Sequence, residues 1–238
     1  MRKGQISTFI ILGLVILMVF CFTFYFAYKF HFYYENIEDF DNVKNFLDSC
    51  ISDNIEKEIR LLALKGFDAN PHYIADIKNA NITLLKKSSL NLVPSIESIE
   101  KQLEDSLKNR YSKCISDSYN QFRGIKIEDK NSVFKISIND NDILAEAKLS
   151  TKISKGGGST KYKQFISHKD IRLGYIVSLI NASIYQMIEK GYDIEKLELI
   201  REDLEVNITR YNSGNIFRVI DPNSNLNGKP LQIIYAVE

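Results

Sequence analysis

The chain begins with a long apolar run that no charged residue interrupts. From Gln5 to Tyr28 most positions are Ile, Leu, Val or Phe. As a helix rising 1.5 Å per residue, this run would span about 36 Å, against about 30 Å for the hydrocarbon core of a bilayer. A cleaved secretory signal has a shorter apolar core and a small-residue cleavage site, and this run has neither. The pattern therefore predicts a transmembrane helix at residues 5–28.

Charged residues on the two sides of this run predict its orientation. Arg2 and Lys3 precede it, whereas an acidic cluster follows it between residues 35 and 41. Positively charged flanks favour the cytoplasmic side of a membrane. We therefore expect a single-pass protein of the cell membrane, with a cytoplasmic N-terminus, residues 30–238 outside, and membrane lipid as a partner.

Helical spacing of apolar residues continues beyond the run, as far as Leu64. Residues 14–65 contain neither Pro nor Gly, so we expect the first helix to extend into a stalk. A second helix is predicted after Pro94, and it should lie antiparallel to the first. Between the two helices, residues 67–94 are expected to form a polar loop with little regular structure.

Both predicted helices carry a cysteine within the same tetrapeptide, Cys-Ile-Ser-Asp, at Cys50 and Cys114. In an extracytoplasmic domain, a disulfide between these two residues is the natural hypothesis. Closing that loop would stabilise the fold by roughly 4 kcal/mol. Two buried free thiols are the alternative. Cys21 lies inside the apolar run, where we expect it only to pack.

After Phe122 the apolar period changes from helical spacing to alternation, which is typical of strands. Residues 143–153 predict a half-buried antiparallel strand, with 161–168 as the returning arm of a hairpin. Asp170 is a candidate N-cap for a helix that ends at Gly191. The remaining predicted elements are a short helix near 193–202 and strands at 204–211, 216–221 and 231–237.

These elements predict an α+β fold. An N-terminal transmembrane helix continues into a helical stalk with an antiparallel helix pair, and an antiparallel sheet with a packed helix follows. The predicted domains are a cytoplasmic leader at 1–4, the transmembrane helix at 5–28, the stalk at 29–122 and an α+β extracytoplasmic head at 123–238.

Composition narrows the class of partner. The 238 residues carry a formal net charge of +1, and 45% of them are hydrophobic. This length suits one domain or two small ones. Because the charge is balanced, nothing indicates a nucleic-acid partner, and we expect none.

The sequence predicts no catalytic residue, metal site or cofactor. His31, His72 and His168 are far apart, and no H-E-x-x-H or C-x-x-C motif occurs. Residues 156–160 are rich in glycine but lack the Gly-Lys-Ser/Thr of a phosphate loop, so we expect a hairpin tip there. Asn81 begins an N-x-Thr pattern in the predicted loop and is the favoured glycosylation site.

The stretch KGQIS at residues 3–7, followed directly by an apolar helix, resembles the class III signal peptide of archaeal type IV pilins and related surface proteins. The resemblance implies that a prepilin-type peptidase cleaves between Gly4 and Gln5. Ile6 and the residues after it would then remain as the membrane and assembly helix. Many such pilins carry Glu at the fifth mature position, where this chain has Phe9. An uncleaved anchor is the alternative.

These observations favour a membrane-anchored surface protein with a pilin-like N-terminus. Its role would be structural or partner-binding, as a homo-oligomer or as part of a surface complex. A membrane-anchored extracytoplasmic enzyme of unknown chemistry is one alternative, and it would require a cleft with convergent polar groups. An accessory subunit of a membrane complex is the other.

Overall fold

The computed structural model describes most of the chain. The described residues are 3–77, 80–191, 203–211 and 214–238, with side chains for all of these except 3–11, 29–38, 77 and 80. The predicted short helix near 193–202 lies outside this set.

Three helices and ten strands occupy the described residues. The helices are α1 (Lys3–Leu64), α2 (Ile96–Gln121) and α3 (Leu173–Lys190). The strands are β1 (Ile74–Ile77), β2 (Ala80–Lys87), β3 (Leu90–Asn91), β4 (Ile125–Asp129), β5 (Val133–Ile138), β6 (Ile143–Lys155), β7 (Gly158–Lys169), β8 (Glu205–Tyr211), β9 (Gly214–Leu226) and β10 (Lys229–Val237). The protein is therefore α+β, as the sequence predicts in outline.

Helix α1 carries one buried stripe, which confirms the predicted helical periodicity. The stripe residues recur every three or four positions, so they lie on one face of the helix. Each is at most 8% exposed: Phe40, Val43, Leu47, Ile51, Ile55, Ile59 and Leu62. This stripe forms the centre of the hydrophobic core.

Helix α2 lies antiparallel to α1, as predicted. Near the start of this part of α1, the ring of Phe46 contacts that of Phe122, which follows α2. Later residues of α1 contact earlier residues of α2. Glu58, for example, accepts hydrogen bonds from Ser106 and Arg110. Contacts that run in opposite directions along two helices define an antiparallel pair.

The strands form two sheets rather than the one predicted. In the larger sheet the order is β1-β2-β10-β9-β8, with β3 beside β2. Strands β2 and β10 are parallel, and the other neighbours are antiparallel. In the smaller sheet β7 pairs along β6, while β4 and β5 pair with successive halves of the opposite edge of β6.

Helix α1 contacts both sheets. Tyr162 of β7 donates a hydrogen bond to Asp48, in the part of α1 that lies on the smaller sheet. Further along the helix, Arg60 donates to the carbonyl oxygen of Leu226 at the end of β9, in the larger sheet. The same helix therefore joins the two sheets into one body.

The predicted polar loop at 67–94 is wrong, because strands β1, β2 and β3 lie within it. The central residues of β2, from Thr83 to Lys86, are all buried, so this strand lacks the alternation that marks a strand with one exposed face. Its partner β10 lies at the other end of the chain. As a result, the predicted stalk and the predicted head share one sheet.

The structure does not support the predicted transmembrane helix. Within the described parts of the chain, no helix combines the length and the apolarity needed to cross a membrane. The predicted span at 5–28, and the predicted single-pass placement that puts 30–238 outside the membrane, are therefore wrong on this finding.

The predicted strands are confirmed, but the predicted cap of the last helix is wrong. Residues 143–153 and 161–168 lie within β6 and β7, which form the expected hairpin. Helix α3 begins after Arg172, not after Asp170, and no side chain caps it. Instead, the backbone N–H of Arg172 donates to Ser224 Oγ at 2.9 Å, which fixes the first turn of the helix to β9.

Two carboxylates of α2 cap the free edge of β5. Glu100 accepts a hydrogen bond from the backbone N–H of Ile138 at 2.7 Å, and Glu104 accepts one from Ile136 at 3.0 Å. The spacing of four residues on the helix matches the two-residue repeat of N–H groups along one strand edge. These contacts satisfy donors that an edge strand leaves unpaired.

We expect the double substitution E100A/E104A to lower the free energy of unfolding by about 2–3 kcal/mol, since each change removes a charge-assisted hydrogen bond at a partly exposed site. Urea denaturation measures the loss. The pair E100Q/E104Q keeps the acceptors and should lose less than half as much. The control D105A removes an exposed carboxylate of α2, and a loss equal to that of E100A/E104A would contradict the capping role.

Candidate functional site

The described part of α1 that precedes the core stripe is apolar and exposed. We call Leu12–Tyr28 the apolar segment. Its large hydrophobic side chains range from 50% exposed at Ile16 to 74% exposed at Tyr28. Thr23 donates a hydrogen bond to the carbonyl oxygen of Phe20, so its hydroxyl is satisfied within the helix.

Exposure of the apolar segment extends around the whole circumference of the helix. Every residue from 12 to 28 is exposed, and consecutive residues point about 100° apart. The buried stripe of the same helix, by contrast, occupies one face. A helix that is hydrophobic on all sides is normally buried on all sides. The apolar segment therefore needs apolar contacts on all of its sides to shield it from water.

The second feature is the cysteine pair that the sequence predicts. The sulfur atoms of Cys50 and Cys114 lie 2.00 Å apart, at disulfide distance, and they join α1 to α2. Asn54 donates to the carbonyl oxygen of Cys50 at 2.8 Å and lies 3.4 Å from the sulfur of Cys114. The pair lies beside the core stripe, where it fixes the antiparallel register of the two helices.

The other predicted site residues lie elsewhere. The backbone of Gly4 and Gln5 is in the first turns of α1, and their side chains are outside the described set. Asn81 is exposed, but it lies in β2 opposite Asp76 rather than in a loop. Neither the predicted cleavage nor the predicted glycosylation is tested by these positions, and both stay predictions.

A buried polar chain connects α2 to the smaller sheet. The hydroxyl of Tyr111 lies 2.6 Å from Thr151 Oγ1, which donates to Asp129 Oδ1 at 2.9 Å. Burial raises the pKa of Tyr111 above its usual range, so the phenol stays protonated and able to donate. Because each hydroxyl has a partner, this chain stabilises packing and leaves no reactive group exposed.

A second buried cluster surrounds Arg172 at the start of α3. Its guanidinium group contacts Asp221, which is fully buried, and Asp203. The hydrogen bonds that Arg172 donates to Asp221 raise the pKa of Arg172, which therefore stays charged. Ser224 donates to Asp221 as well. Removing Arg172 would leave the carboxylate of Asp221 buried without its cation, so this cluster joins α3 to β9 structurally.

His168 has two carboxylate partners. Its Nε2 lies 2.5 Å from Asp142 Oδ2, and its Nδ1 lies 3.4 Å from Asp170 Oδ1. Hydrogen bonds from Asn139 and His168 lower the pKa of Asp142. In the part of the chain that the structure describes, no three His, Cys, Asp or Glu residues converge as metal ligands. His168 therefore joins the end of β7 to Asp142, the residue before β6, and we assign it a structural role.

Sequence reasoning missed one feature with an open cavity. A basin between α1 and the β9–β10 turn is lined by Lys57, Arg60 and Lys229, together with Asp53 and Asn227. The spacing of residues 53, 57 and 60 on one helix face was visible in the sequence. Lys229, however, comes from the far end of the chain, and only the fold brings it to the helix.

The cysteine pair predicts a stability that depends on redox state. We expect C50S/C114S to lower the free energy of unfolding by about 3–4 kcal/mol, because opening a loop with a separation of 64 residues restores entropy to the unfolded chain. Urea denaturation without reductant measures this change. Wild type with reductant should fall to the value of the variant, whereas C21S should match wild type. Equal stability of wild type with and without reductant would contradict the prediction.

Comparison of the chain with protein-family models, curated proteins and solved structures gave no match. The functional proposal therefore depends on the residues and contacts described above.

Proposed function

We propose that the protein is a structural subunit that assembles with copies of itself through the apolar segment, Leu12–Tyr28. In the assembly, the segments of several chains form a common helical core. The domain built from residues 39–238 lies outside that core, with its α1–α2 pair held by an oxidised Cys50–Cys114 bond. The observation that carries this proposal is the exposure of every residue in the apolar segment.

The free energy available from the apolar segment is large enough to drive assembly. Fully burying one Leu, Ile, Val or Phe side chain contributes about 1.5–3 kcal/mol. Four such side chains would therefore contribute about 6–12 kcal/mol, which is comparable with the cost of about 4–15 kcal/mol for bringing two proteins together. The segment exposes many more than four.

The surface that best matches this segment is the same segment of another copy. Within the described residues, the other exposed large apolar side chains are distributed over α1, α2, α3, four strands and the loop before β1. This part of the domain therefore offers no continuous apolar groove of matching length. From Gln5 to Tyr28 there is also no charge that would repel a second copy. Copies of the apolar segment are thus complementary to one another.

The geometry favours more than two copies. A helix that packs on one partner helix covers one stripe of its surface. Covering a helix that is apolar on every side requires several neighbours. Three or more chains cover more of each apolar segment than two chains can.

The pilin-like leader supports the same proposal without being tested by the structure. In the family that KGQIS resembles, the helix that follows the leader serves in assembly. Cleavage between Gly4 and Gln5 would leave the apolar segment intact. Phe9 in place of the Glu that many such pilins carry makes this part of the helix more apolar still.

We expect the wild-type chain to sediment as an assembly of three or more copies in detergent-free buffer. The substitution L17K places a charge in the helical core, and it should raise the concentration for half-dissociation at least about tenfold. The matched control is V133K, because Leu17 is 62% exposed and Val133, on β5, is 61% exposed. This control should assemble as wild type does. Sedimentation velocity over a concentration series measures all three proteins.

Two results would contradict the proposal. One is a wild-type chain that stays monomeric throughout the series, and the other is an equal weakening by L17K and V133K. The monomer result is examined further with phosphatidylcholine vesicles. A monomer that binds them would show that lipid, rather than a second copy, covers the apolar segment.

A further inference from the structure

A basic basin lies between α1 and the turn that joins β9 to β10. It has a volume of about 470 Å³. Its lining residues are Asp53, Lys57, Arg60, Asn227 and Lys229. This volume lies within the range of about 300–1,000 Å³ that is typical of small-ligand sites. The basin is far larger than a single ion needs.

The fold builds this basin from two elements. Lys57 and Arg60 lie on one face of α1, three residues apart. Arg60 donates to the carbonyl oxygen of Leu226, which fixes the tip of the β9–β10 hairpin against the helix. Asn227 and Gly228 form that tip with φ values of 51° and 75°, as an Asn-Gly hairpin turn requires. Lys229 follows at once and faces the basin.

The charges in the basin are not balanced. Three cationic side chains line it, against the single carboxylate of Asp53. Arg60 has five N–H donors, and the Leu226 carbonyl oxygen accepts from one nitrogen, Nη2. In the described parts of the chain, neither Lys57 nor Lys229 forms an ion pair.

Elsewhere along α1 the neighbouring cations are paired with carboxylates. Lys155 pairs with Asp39, Lys169 with Glu56, and Arg110 with Glu58. These three pairs lie on the parts of α1 that other elements cover. The basin therefore departs from this pairing, and its excess positive charge has no carboxylate partner among the described residues.

We propose that the basin binds a small ligand that carries a diphosphate or an equivalent pair of oxyanion groups. The Arg60 guanidinium group can hold one oxyanion through paired N–H donors, and Lys57 and Lys229 supply point charges for the second. The cavity volume accommodates both groups together with the part of the ligand that carries them. This site is independent of the apolar segment and does not depend on assembly.

Equilibrium dialysis of the full chain against radiolabelled inorganic pyrophosphate, at constant ionic strength, tests the proposal. We expect saturable binding at one site per chain. K57Q/K229Q should weaken it about tenfold or more, because two of the three cations are lost. D53N should tighten it about threefold, since the opposing charge is removed. Both lysines and Asp53 are exposed, so these changes leave the fold intact.

The matched control is K101Q/K108Q, which removes two exposed lysines of α2 outside the basin. It should change pyrophosphate binding less than about twofold. Absence of saturable binding would overturn the proposal, as would an equal loss in the control or a failure of D53N to tighten binding. Inorganic phosphate that binds as tightly as pyrophosphate would overturn the assignment of two oxyanion groups.

Discussion

The packing of one helical stripe determines most of this structure. The stripe residues of α1, spaced from Phe40 to Leu62, face inward, and both sheets and α2 cover them. Because the stripe is continuous, the two sheets cannot be separated without exposing it. The Cys50–Cys114 pair, the Asp48–Tyr162 bond and the Arg60–Leu226 bond all lie along this helix. Each of them fixes a different element to the same axis.

The same helix also explains how the domain can carry an assembly element. Helix α1 runs from Lys3 to Leu64, so the apolar segment continues the axis that the core stripe anchors. The two parts differ in their pattern: the stripe is apolar on one face, whereas Leu12–Tyr28 is apolar on all faces. One face suffices for a domain that folds around the helix. A segment with apolar residues on every face requires contacts from other molecules.

Local patterns predicted much of the fold, and distant contacts account for most of what was missed. The helical stripes of α1 and α2, the β6–β7 hairpin and the Cys50–Cys114 proximity follow from periods or repeats within short windows. Strand β2 was missed because its pairing with β10 joins distant parts of the chain and buries both of its faces. Lys229 could not be placed beside Lys57 for the same reason. The apolar run predicted a membrane span by its length in the sequence, but no helix of the described residues is both long and apolar enough to cross a membrane.

Hydrogen exchange of the full chain, at concentrations above and below assembly, tests the central claim most directly. If the apolar segment is covered by other copies, its amides from Leu12 to Tyr28 should be protected only at the higher concentration. The amides of the core stripe should be protected equally at both concentrations, which makes them an internal reference. Equal protection of the apolar segment at both concentrations would contradict the account, because its cover would then not depend on a second copy.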